Sequence, residues 1–165
     1  MTDKAPDLAD RRGTLGVGED GQWQIRFQRR LRHAPERVWS ALVDPAQQAA
    51  WVPGVTIEAT VGGTVLFDFA EQGKAEGEVL AVEAPRLLEH TWLWPGEPSA
   101  TVRWEVTADG DGTLLVLWHR PLRRDPAAGY AAGWHVMLDA LETHLSGAVP
   151  GEPEFPRLFE MYREG

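Results

Sequence analysis

DPAAGYAAGWHVMLDALETHLSG, residues 125–147, carries the clearest helical signal in the chain. Asp125-Pro126 supplies a cap and a first turn, and Gly147 supplies the stop. Between them Tyr130, Trp134, Met137, Leu138, Leu141 and Leu145 recur every three or four residues and draw one wide apolar stripe. His135, Asp139 and Glu142 fall off its centre. A helix of about 20 residues spans ~30 Å, enough to cross a whole sheet. So long a stripe needs a broad apolar surface to cover it, and the rest of the chain is rich in strands.

Upstream, Trp23, Ile25, Phe27 and Leu31 alternate with Gln22, Gln24, Arg26, Gln28, Arg30 and Arg32. That is the pattern of a half-buried strand, and only Arg29 interrupts its apolar face. Thr14–Val17 precedes it across a hairpin signalled by Asp20-Gly21. The period then changes. Pro35 with Val38, Trp39 and Leu42, and then Asp44-Pro45, predict two short helices ending before Pro53-Gly54. Further strands are predicted at 55–60, 64–70, 74–84, 86–94, 101–107 and 113–120, spaced as in an antiparallel meander. Val65, Phe67 and Phe69 share one side of the second of these, which leaves Asp68 on the solvent side, and the last is apolar on both faces. The tail from Val149 is turn-rich, then weakly helical at Arg157–Tyr162. A strongly bent antiparallel sheet wrapped around the long C-terminal helix satisfies this order, an α+β fold.

The 165 residues fit one domain. Residues 1–13 read as a flexible polar leader, 14–147 as the domain and 148–165 as a C-terminal tail. A net charge of −9 disfavours nucleic acid as a partner, because phosphate binding needs basic surface. The arginines 26, 29, 30, 32 and 37 are dense for so acidic a chain, but the alternation sends Arg26, Arg30 and Arg32 to solvent. The absence of cysteine rules out disulfides, a thiol nucleophile and thiolate metal sites. No apolar run reaches the ~18 residues of a membrane span and the leader lacks the core of a signal peptide, so the expected location is cytoplasmic. Ser40, Ser99 and Ser146 are the only serines, none in a nucleophile-elbow setting, and no phosphate or dinucleotide loop occurs. No cofactor and no metal are therefore expected. His135 and Asp139 have the spacing of helical ligands but read better as a partly exposed hydrogen-bonded pair.

Several stretches resemble a known family: Ala34 to Trp39, Asp44-Pro45 with Trp51, Val61-Gly62-Gly63, Pro85 to Leu88 with Trp92, Gly112 to Leu115, and Gly133-Trp134-His135 with Leu138 to Leu141. Together, over residues 22–147, they resemble the helix-grip superfamily of START and polyketide-cyclase-like proteins. The best match is the bacterial branch named after the activator of heat-shock protein 90 ATPase. The resemblance implies a cavity between sheet and long helix that admits an apolar small molecule. It does not imply a reaction, since the fold hosts binders, cyclases and chaperone cofactors alike. This chain departs from the pattern at His90, where an aromatic such as Tyr is usual, and on the outer face of residues 113–120, where polar residues are usual.

Eight tryptophans suggest either a bulky solid core or a cavity with aromatic walls. Joined to the resemblance, they nominate Trp51, Phe67, Phe69, His90, Trp92, Trp104, Leu115, Leu117, Trp134, Met137 and Leu138 as cavity residues. Alternation places His90 with Leu88, Trp92 and Trp94, where it would orient a ligand or move a proton, or else be a core histidine bonded to a backbone carbonyl or a Trp N–H. His119, beside Leu115 and Leu117, is read the same way. The leading expectation is binding of a hydrophobic or aromatic small molecule, with a chaperone-cofactor role or a cyclase- or hydrolase-like activity through His90 as alternatives. Leu114, Val116 and Trp118 would form an apolar stripe on the outer face, buried in a homodimer or covered by the leader or the tail.

Overall fold

The computed structural model describes residues 12–18, 21–148 and 155–164, so most of the leader, Asp20 of the hairpin signal and the start of the tail lie outside the described residues. Eight strands form one curved antiparallel sheet: β1 Thr14–Val17, β2 Trp23–Leu31, β3 Val55–Ile57, β4 Thr64–Asp68, β5 Lys74–Glu83, β6 Leu87–Trp92, β7 Ala100–Asp109 and β8 Gly112–Leu122. Their order is β1-β2-β8-β7-β6-β5-β4-β3, so every neighbour is sequential except β2 and β8. Helices α1 Pro35–Val43 and α2 Pro45–Trp51 fill the crossover from β2 to β3, and α3 Arg124–Leu145 follows β8. The fold is α+β and helix-grip, as the alternation and the long stripe predict.

The local chemistry is visible at the joints. Asp44 accepts the Ala46 N–H at 3.1 Å and starts α2, and the Trp51 indole N–H donates to the Ala41 carbonyl at 2.8 Å, which ties the two short helices together. Gly147, at φ +87°, ends α3 in the left-handed region, with Ala148 N–H returning to the Thr143 carbonyl. The start of α3 is corrected: Arg123, not Asp125, is the cap residue, and Pro126 lies within the first turn where its missing N–H goes unneeded. β4 also stops earlier than predicted. Asp68 accepts the Ala70 N–H at 2.9 Å and opens a short 3-10 turn, Ala70–Gln72, that swings Phe69 out of the sheet.

Two polar groups are buried at the interface of sheet and helices. Arg29, the interruption in the inner face of β2, is only 3% exposed and pairs with Asp139 at 2.8 Å and Glu142 at 3.6 Å on α3. A charge buried this way is tolerable because its partners travel with the helix it faces. His135 is buried, not partly exposed, because α4 Phe155–Glu164 packs along α3 above it. The Tyr162 hydroxyl lies 2.8 Å from His135 Nδ1 and accepts the Gly13 N–H at 2.8 Å, while Leu158 and Tyr162 enter the core. The helix of the tail is thus part of the packed unit, and packing does not end at residue 147.

The outer face carries the predicted stripe. Leu114, Val116 and Trp118 do point outward, yet none is fully exposed, and Val116 is only 7% accessible. Their cross-strand partners are polar: Arg30, Gln28 and Arg26 on β2, Thr107, Glu105 and Arg103 on β7. Arg26 and Arg120 lie over the Trp118 ring at 5.2 and 4.6 Å, so aliphatic stems and cation–π contacts clothe the stripe.

Candidate functional site

A cavity of about 730 Å³ opens beside the N-terminal half of α3. Pro126, Gly129, Tyr130, Gly133, Trp134, Val136 and Met137 give it one helical wall, recurring at three- and four-residue spacing. Trp92 at the end of β6, and Trp94 and Glu97 in the loop after it, form the second wall; Phe69 and Gln72 of the 3-10 turn form the third, and Phe155 and Pro156 of α4 stand at the rim. Gly73, at φ +118°, is needed there: a Cβ would come within 3.0 Å of the Trp94 ring.

Four of the residues nominated from sequence line this space: Phe69, Trp92, Trp134 and Met137. The other seven do not. Phe67, His90, Trp104, Leu115, Leu117 and Leu138 are packed solid in the core, and Trp51 is used between α1 and α2. Alternation shows which face a side chain takes, not whether packing leaves room beside it. Trp94 and Tyr130 were findable, since one continues the His90–Trp92 alternation and the other the Trp134–Met137 stripe. Glu97, in an irregular loop, left no periodic trace.

The polar groups of the cavity form a short chain. The Trp92 indole N–H donates to the Tyr130 hydroxyl at 3.2 Å, and that hydroxyl donates to Glu97 Oε1 at 2.6 Å. Burial, then the bond to Glu97, pushes the Tyr130 phenol well above its ordinary range, so it stays protonated and donating. An apolar hollow with one such polar cluster has the composition of a small-molecule site.

Behind the cavity wall lie two buried histidines. His90, Val102 and His119 stand in one row across β6, β7 and β8 on the inner face. Trp104 donates its indole N–H to His90 Nε2 at 3.1 Å, and His90 Nδ1–H donates to the Thr91 carbonyl at 3.0 Å. With both ring nitrogens engaged by the protein, His90 is the core histidine of the two sequence alternatives, not a proton mover. Trp134 donates to His119 Nδ1 at 2.8 Å, while His119 Nε2 has no protein partner, the one buried side-chain nitrogen or oxygen so left among the described residues. Burial pushes His90 down to about 4, against a small opposing effect of the Thr91 bond. Burial and then the nearness of His90 push His119 down to about 3. Both are neutral at physiological pH.

The model of the family described as "Activator of Hsp90 ATPase homolog 1-like protein" matches residues 32–146. The chain belongs to this family. Proteins of known structure share its fold. CalU16 from Micromonospora echinospora is 29% identical, with a TM-score of 0.74 over 93% of each chain. DynU16, a protein in the dynemicin biosynthetic locus, is 26% identical with a TM-score of 0.68, covering 77% of this chain and 48% of its own. The Aha1 dimer from Colwellia psychrerythraea, at 18% identity and a TM-score of 0.66 over 74% of this chain and 95% of its own, shares the fold alone. A comparison with curated proteins finds no match. Among the described residues, no helix of this family member is long and apolar enough to cross a membrane.

Proposed function

We propose that this family member binds a hydrophobic, aromatic small molecule in the cavity beside α3, acting as a binder rather than through a catalytic histidine. The cavity carries the reading: about 730 Å³ walled by Phe69, Trp92, Trp94, Tyr130 and Trp134, with one polar cluster at Tyr130 and Glu97. Rings of this kind offer large, flat apolar surface to a planar guest. DynU16's place in a biosynthetic locus is in keeping with small-molecule handling. The engagement of both His90 nitrogens argues against the proposed cyclase- or hydrolase-like role for that residue. With its outer stripe clothed, the protein has no need of a partner copy there, and we assign it to the cytoplasm.

Intrinsic tryptophan fluorescence, titrated with fatty acids and polycyclic aromatics, tests the proposal. Gly133 lines the cavity, and a Cβ built there meets nothing within 4 Å, so Gly133→Phe directs a ring toward the space. Saturable quenching by the aromatics is expected in the parent, weakened at least tenfold in Gly133→Phe with its far-ultraviolet circular dichroism unchanged. No response across the panel overturns the proposal.

A further inference from the structure

We propose that the Nε2–H of His119 is the anchoring donor of this cavity, and that the ligand class it selects is a planar aromatic bearing a neutral carbonyl oxygen. The inference rests on the cavity reading above and goes beyond it by naming the recognised group.

The tautomer of His119 follows from its partner. An indole nitrogen only donates, so the 2.8 Å contact from Trp134 makes His119 Nδ1 an acceptor. The neutral ring then carries its proton on Nε2, where no protein acceptor meets it. His119 is 0% exposed, and a buried donor left unpaired is unfavourable, so such a group calls for a specific reason. Its surroundings give one. The rings packed on His119 are Tyr130 at 4.9 Å, Trp92 at 5.1 Å and Trp134 at 5.8 Å between centroids, and all three are cavity wall. His119 therefore lies behind the cavity wall, in contact with three of the rings that form it.

Tyr130 is the movable ring of the three. It is half-buried, whereas Trp92 and Trp134 are buried, and its hydroxyl is held by Glu97 and Trp92 at the mouth. Turning it aside brings the cavity to the His119 edge. The acceptor that arrives there must be neutral. His119 stays uncharged, and the Glu97 carboxylate on the same wall repels an anion, so a carboxylate or phenolate would lose its hydration with no countercharge in return. A ketone or quinone oxygen accepts one N–H bond and carries no charge to bury.

The test uses 9-fluorenone and fluorene, two planar tricyclic probes that differ by one carbonyl, each titrated by calorimetry into the full chain. Fluorenone is expected to bind about tenfold more tightly than fluorene, and His119→Phe to abolish that preference while keeping fluorene binding. Side-chain ¹⁵N–¹H spectra of the unmodified protein give an answer independent of any variant. Fluorenone should shift the His119 Nε2–H proton downfield and leave the His90 Nδ1–H proton in place. Equal affinities, or an unmoved His119 signal, overturn the anchoring role and leave the cavity reading standing. Binding of neither probe overturns both.

Discussion

The two histidine–tryptophan pairs of the inner sheet face have the same ingredients and different ends. At one, Trp104 gives its N–H to His90, and His90 gives its own to Thr91, so the row closes within the protein. At the other, Trp134 gives its N–H to His119, and the second nitrogen of His119 has no protein partner. Their neighbours explain the difference. His90 lies on β6, between β5 and β7, with Phe67 stacked over it at 5.9 Å, deep in packed core. His119 lies behind rings that face the cavity. A closed pair is structure; a pair left open beside a hollow is a place for chemistry from outside.

The largest expected effect is on acid stability, where the two pairs act together. An unfolded histidine titrates near 6.5, while these two are held down to about 4 and about 3. Below pH 6.5 the unfolded chain takes up protons that the folded chain refuses, so stability is full above pH 7. It is lost as pH falls from 6.5 toward 4 for His90 and toward 3 for His119. Each contributes a slope of ~1.4 kcal/mol per pH unit inside its window. Urea unfolding between pH 6 and 5, inside both windows, should show a combined slope approaching ~3 kcal/mol per unit, and His90→Phe or His119→Phe should each halve it. A stability that stays flat to pH 5 would show that the rings are not held neutral.

At pH 7.5, where neither ring is charged, the pairs should separate. His90→Phe leaves the buried Trp104 N–H without its acceptor, and such a group costs ~1–3 kcal/mol. His119→Phe orphans the Trp134 N–H but removes the orphaned Nε2–H, so the number of unpaired donors is unchanged. The expected loss is about 2 kcal/mol for the first and under ~1 kcal/mol for the second. Equal losses would mean that His119 Nε2 is already satisfied.

The fold was legible because period is a local property. The two-residue alternation from Trp23 and the stripe from Tyr130 to Leu145 each need only their own residues, and their order leaves few architectures. The site was legible in part for the same reason. Trp92, Trp134 and Met137 reached the cavity because their faces were correctly assigned, and Phe69 because the turn after Asp68 carries it there, while Leu115, Leu117 and Trp104 met packed neighbours instead. Arg29 and His135 were opaque: their burial depends on Asp139 and Glu142 across the interface and on a helix twenty residues further on. Glu97 sits in a loop, where nothing repeats.

The smallest effect is also the most local. Gly133 lies within α3, one residue before Trp134, and a Cβ there meets open space. In a helix interior glycine is ~1 kcal/mol less favourable than alanine. Gly133→Ala should therefore raise the urea midpoint by the equivalent of about 0.5–1 kcal/mol without changing the slope of the transition. The added methyl enters the cavity, beside Trp134, so the His119 Nε2–H resonance should move slightly while that of His90 Nδ1–H stays. A loss of stability would mean that α3 is packed at this point, and that the open pair and the closed pair face the same kind of wall.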